Sequence, residues 1–112
     1  MNEGHIRSGE VINLKTLKDG MSKQATFALT KTDDMEVIRM VLPRGKSIRE
    51  HSVEGEMSVL CLKGEVLFRI GEEAHTLTED DWLFLHRNAP HSLHAKEDTV
   101  LLLTILFISD NQ

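Results

Sequence analysis

Six histidines hold most of the chemistry open to this chain: His5, His51, His75, His86, His91 and His94. An imidazole titrates near neutrality and ligates Zn, Fe, Mn, Ni or Cu. Histidines that converge therefore make a metal site, an acid–base pair or a polar anchor for a ligand. Three of the six fall between residues 86 and 94, around the tight loop Arg87-Asn88-Ala89-Pro90. His51 stands apart, near the end of a strand-like stretch that begins at Ser47 and leads into Glu54-Gly55-Glu56. His51 and His91 each lie at a strand end beside a loop, so they are the pair expected to meet. A protein metal site generally needs three or more protein ligands. His86, across the loop from His91, and Glu56, across the turn from His51, are the candidates for the remainder.

Strand alternation sends His91 and Leu93 to one face and Ser92 and His94 to the other. His94 is thus expected at the surface, as is His75 beside its charged turns, and His5 lies in a polar tail. Cys61 sits among apolar neighbours, which raise a thiol's pKa, so a small buried hydrophobe is expected rather than a nucleophile. A lone cysteine excludes an internal disulfide or a thiolate metal cluster within one chain. It fits a reducing, cytoplasmic compartment. No phosphate-binding loop, dinucleotide fingerprint or G-x-S-x-G elbow is present.

The 112 residues predict one domain, and 40% hydrophobic content argues against disorder. Thirteen basic against eighteen acidic residues leave a net charge of -5, which repels nucleic acid backbones. The first ten residues lack the apolar core of a secretion signal. The longest apolar run, Val100 to Ile108, falls well short of the roughly 17–25 residues of a membrane-spanning helix. Neither a nucleic acid nor a membrane partner is expected.

The positioning elements read as strands. Residues 1–21 form an arm in which Val11, Leu14 and Leu17 suggest one helical turn or an irregular cover over apolar surface. Residues 22–108 alternate with period two between charged or Gly turns, the pattern of an all-β sandwich or barrel. In Met35 to Leu42, Ile38, Met40 and Leu42 make an apolar face opposite Val37, Arg39 and Val41. Lys63-Gly64-Glu65 reads as a hairpin connection. Arg39 and Arg69, inside strand patterns, are expected on the solvent face. Val100 to Ile108 is apolar on both faces and is expected to serve partly as core and partly as a homodimer interface. Residues 109–112 are a polar tail.

Gly45, His51 and Gly64, spaced around an apolar strand, resemble the first motif of the cupin family. Asp80, His86, Asn88 and His91 stand where its second motif has Gly, Pro, Gly and His. The likeness runs from about residue 37 to 107. It implies a jelly-roll barrel, or double-stranded β-helix, commonly dimeric, with a metal ion or small molecule inside. His51 and His91 take the first and last metal-histidine positions. Val53 replaces the second histidine and Met57 the carboxylate, so the usual set of ligands is reduced to two. Asp80 and Asn88 replace glycines, a mild change because both residues tolerate left-handed turns.

With those ligands gone, alternation points Val53, Met57, Val59 and Cys61 toward the barrel centre, with His51 and His91 at its polar end. Trp82 is a candidate wall. The leading expectation is a barrel that binds a small molecule, with no metal at the usual place. A divalent ion (Zn, Fe, Mn, Ni or Cu) on His51, His86, His91 and Glu56 is the alternative. It would make the protein a dioxygenase, isomerase or decarboxylase. A soft copper site on His51, Met57 and His91, and a regulatory or sensor domain, complete the set.

Overall fold

The computed structural model of the chain describes residues 5–20 and 26–107. The expected beginning of the first strand at Ser22 and the polar tail at 109–112 lie outside the described residues. Among the described residues nine strands are present: β1 (Phe27–Lys31), β2 (Met35–Leu42), β3 (Ser47–His51), β4 (Glu56–Lys63), β5 (Glu65–Ile70), β6 (Glu73–Thr78), β7 (Trp82–Leu85), β8 (His91–Ala95) and β9 (Thr99–Leu106). They form two antiparallel sheets in the orders β1-β2-β9-β4-β7 and β3-β8-β5-β6. After β2 the chain changes sheet at every connection except β5 to β6. That repeated crossing wraps the strands into a jelly roll, the all-β barrel expected.

Period-two patterning explains which side chains go inside. On β2, Ile38, Met40 and Leu42 pack into the barrel, while Val37 and Val41 pack under the N-terminal arm. β9 lies between β2 and β4 and sends Leu101, Leu103 and Ile105 into the core. Its outer residues Val100 and Leu102 join Leu17, Leu29 and Leu62 beneath the arm. The excess apolar character of β9 is thus covered first by its own chain. The far end of that face stays open, where Leu106 is 44% exposed.

Within the arm, the anticipated stripe is not realised. Leu17 is completely buried on a single π-helical turn, Thr16–Gly20, whereas Val11 and Leu14 are exposed. Arg39, expected in solvent, is only 1% exposed. Its Nε donates to the Leu17 carbonyl at 2.7 Å, and its guanidinium lies 5.9 Å from the centre of the Phe27 ring. A buried guanidinium needs such acceptors, and the arm supplies one.

Gly64 is not a hairpin turn. β4 and β5 lie in different sheets, and Gly64, at φ +96°, is the corner between them. A Cβ there would run into the Asp98 carbonyl and Thr99. Thr99 fastens the corner: its buried hydroxyl accepts from the Glu65 amide at 3.1 Å and donates toward the Glu97 carbonyl at 2.8 Å. Asp80 and Asn88, the two residues standing in for turn glycines, take φ of +75° and +65°.

Candidate functional site

His51 and His91 converge because β3 and β8 are paired and these two residues are register partners. Directly opposed side chains on one face have Cβ atoms about 4.5–5.5 Å apart. A β-bulge makes this possible. Ile48 pairs with Leu93 and His51 with His91, so β3 spends three residues where β8 spends two. Ile48 already faces the barrel, and strict alternation would have turned His51 outward. The extra residue at Arg49–Glu50 rotates it back in. The loop that delivers His91 is pinned to the segment after His51 by the Asn88 amide, which donates to the Val53 carbonyl at 2.9 Å.

The two rings lie 4.3 Å apart between centroids, tilted by 55°. On its other side His91 stacks on Phe68, at 5.5 Å and 10°. His91 is 2% exposed, whereas His51 is exposed, so the pair leads from surface to interior. Each ring is held the same way. His91 Nδ1 donates to the Ala89 carbonyl at 2.9 Å, and His51 Nδ1 donates to the Arg49 carbonyl at 3.1 Å. A carbonyl only accepts, so Nδ1 carries the proton in both rings. In the neutral imidazole, Nε2 is then left as a lone-pair acceptor. Burial pushes the His91 pKa below 6.5; the Ala89 bond opposes that shift and His51 adds to it.

Beside the pair lies a cavity of about 200 Å³ between the sheets. Ile38, Met40, Ile48, Val53, Met57 and Phe68 are among its walls, and among the described residues every wall other than the two imidazoles is aliphatic, thioether or phenyl. Strand alternation could have found Phe68, which shares the inward face of β5 with Val66. The stacking and the bulge left no mark in the sequence.

Several candidates fall elsewhere. Val59 and Cys61 face inward but sit fully buried in the packed part of the barrel, off the cavity wall. Burial, with help from Asp81, pushes the Cys61 thiol up to about 11. Trp82 is not a wall: it pairs with Leu60 on the outer face of its sheet and is 62% exposed. Glu56 adjoins the inward-facing Met57, so alternation turns it to that same outer face, where it lines a groove with Trp82 and Phe84. His86 is exposed past the end of β7 and does not line the cavity. Arg69 is exposed on the outer face of its sheet.

This donor set fits a hard or borderline ion poorly. Among the described residues two imidazoles face the cavity and no carboxylate does. Among the described residues no three of His, Cys, Asp and Glu are grouped to hold an ion.

Two antiparallel sheets wound into one barrel, with a hollow and an imidazole pair between them, define a small double-stranded β-helix protein. The chain belongs to the cupin-domain family, whose cupin domain matches residues 38–108. Similar solved structures carry the same fold. A conserved protein of unknown function from Streptococcus pyogenes is 23% identical, with 94% of this chain and 93% of that one covered and a TM-score of 0.76. A cupin superfamily protein from Desulfitobacterium hafniense is 17% identical, with 95% and 97% covered and a TM-score of 0.77. A protein from Thermus thermophilus is 27% identical, with 88% and 99% covered and a TM-score of 0.70. No curated protein sequence matches. Among the described residues no helix is long and apolar enough to cross a membrane.

Proposed function

We propose that the protein binds a small, mainly apolar molecule in its barrel and grips it by one hydrogen-bond-donating group. The observation that carries this reading is an apolar cavity of about 200 Å³ whose only polar walls, among the described residues, are His51 and His91. An apolar protein cavity of about 150 Å³ takes up benzene, so this one suits an aryl or short branched ligand with one small substituent. With both Nδ1 protons engaged, the Nε2 lone pairs favour a hydroxyl, a phenol or a protonated acid over a bare anion.

The metal-enzyme reading required His86 or Glu56 as further ligands, and neither lines the cavity. One cofactor retains an argument. Met40 and Met57 line the same cavity as the imidazoles, and thioethers suit Cu(I). A His51, Met57 and His91 site for that soft ion is the second reading. We further propose a cytoplasmic homodimer, supported by the single, buried Cys61, which has no cysteine in the chain to pair with, and by the exposed apolar side chains of Trp82, Phe84 and Leu106.

Calorimetric titration with phenol and toluene tests the main reading. Phenol is expected to bind about tenfold tighter than toluene, because only phenol satisfies an imidazole acceptor. Equal affinities, or no heat from either, would overturn it. Cu(I) titration of the same sample addresses the second reading, which needs one ion per chain.

A further inference from the structure

The outer face of the β3-β8-β5-β6 sheet carries a second feature that the barrel does not use. Across this face the side chains fall into two rows. In one, Ser92 on β8 stands opposite the bulge residues Arg49 and Glu50 of β3 and pairs with Arg69 of β5. In the other, Ser47, His94, Leu67 and Thr76 follow one another across four strands. A groove of about 470 Å³ lies over these rows, lined by Arg49, Arg69, Ser92, His94, Ser47 and Leu67.

The cations here are unusual for this chain. The protein carries a net charge of -5, yet Arg49 and Arg69 are exposed and have no ion pair or side-chain hydrogen bond among the described residues. An arginine on an edge strand can serve to discourage sheet-to-sheet pairing, and β3 is an edge. β5 is not, so that explanation fails for Arg69. Neighbouring strands lie about 4.8 Å apart. The two arginines are therefore rooted on either side of the Ser92 hydroxyl, each one strand away from it. Planar guanidinium forks on both sides of a hydroxyl match an oxyanion that offers several acceptors at once. The Ser47 hydroxyl holds His94 Nδ1 at 2.7 Å, fixing that ring at the groove wall. Leu67 gives an apolar shelf next to the arginine row.

We propose that this groove binds a low-molecular-weight phosphate monoester, with the phosphate between Arg49 and Arg69 over Ser92 and its organic part on Leu67. Glu50 is the carboxylate on the groove wall, and it opposes more highly charged ligands. The negative charge of the whole chain likewise disfavours polyanions. The same bulge thus does two jobs: it turns His51 inward and leaves Glu50 on the outside next to Arg49.

Amide and side-chain NMR of the full chain, titrated with phenyl phosphate and with inorganic phosphate at constant ionic strength, tests this. Saturable shifts are expected at Arg49, Arg69, Ser92 and His94, with those of His91 and Phe68 unmoved. Phenyl phosphate should bind several-fold tighter than inorganic phosphate. Arg49→Gln and Arg69→Gln should each weaken phenyl phosphate about tenfold, as loss of a charge-assisted bond does. Arg44→Gln, outside the groove, should change nothing. These are exposed positions, and an unchanged melting temperature verifies that the variants fold. A linear drift without saturation, binding that both groove variants leave intact, or shifts confined to His91 and Phe68 would overturn the proposal. Phenol binding in the barrel is read separately, so either site can fail alone.

Discussion

At the residue scale the decisive fact is that two imidazoles are held by their Nδ1 protons to carbonyls two residues upstream. That fixes the tautomer and decides what the cavity can recognise. It also couples stability to pH through His91, whose pKa burial depresses. In the window below 6.5 the unfolded chain binds more protons at this position than the native one, so stability rises with pH there. The His91 contribution is present above the unfolded pKa and is lost as pH falls through the lower folded value. Urea midpoints measured from about pH 7 to about pH 5 should therefore fall more steeply for the native protein than for His91→Phe. Parallel slopes would show that His91 keeps an ordinary pKa. The sequence named both histidines because residue type and strand-end position are legible in it. It also offered His86, Glu56 and Trp82, which the fold sends elsewhere. Spacing along a chain does not reveal which face a residue takes once a strand has bulged or ended.

At the element scale the strands were largely readable. The period-two pattern of Met35 to Leu42 gave β2 with its own limits and the correct inner face. Pairing was less legible. Lys63-Gly64-Glu65 has hairpin composition, but the chain turns a corner there and leaves one sheet for the other. Local patterning reports the faces of a strand; partners are chosen by the barrel as a whole. The corner makes a prediction. Gly64→Ala combines a left-handed φ with a clash on Asp98 and Thr99 and should cost roughly 2–4 kcal/mol of stability. Gly45 has a similar φ of +88° with nothing within 4 Å of its missing Cβ. Gly45→Ala should cost only about 1–2 kcal/mol. Chemical denaturation of both variants checks the difference, and equal losses would mean that crowding at Gly64 is relieved by movement of the corner.

At the scale of the whole molecule, the arm closes one part of the outer face of the five-stranded sheet and leaves another open. Trp82 and Phe84, on edge strand β7, are 62% and 50% exposed beside Leu106. A second copy of the chain is the proposed cover. Sedimentation should give a dimer for the native protein and a monomer for Trp82→Glu, while a native monomer would remove the proposal. Neither outcome bears on the barrel, whose imidazoles lie between the sheets. The central claim there is that His51 and His91 present Nε2 lone pairs to an apolar ligand. Histidine ¹⁵N NMR during a phenol titration tests it most directly. His75, whose Nε2 reaches Glu73 at 3.0 Å, serves as a reference protonated on the other nitrogen. The account predicts Nδ1-protonated rings for His51 and His91, with Nε2 resonances that move as phenol binds while those of His75 and His94 stay fixed. Nε2-protonated rings at 51 and 91, or resonances indifferent to phenol, would contradict it.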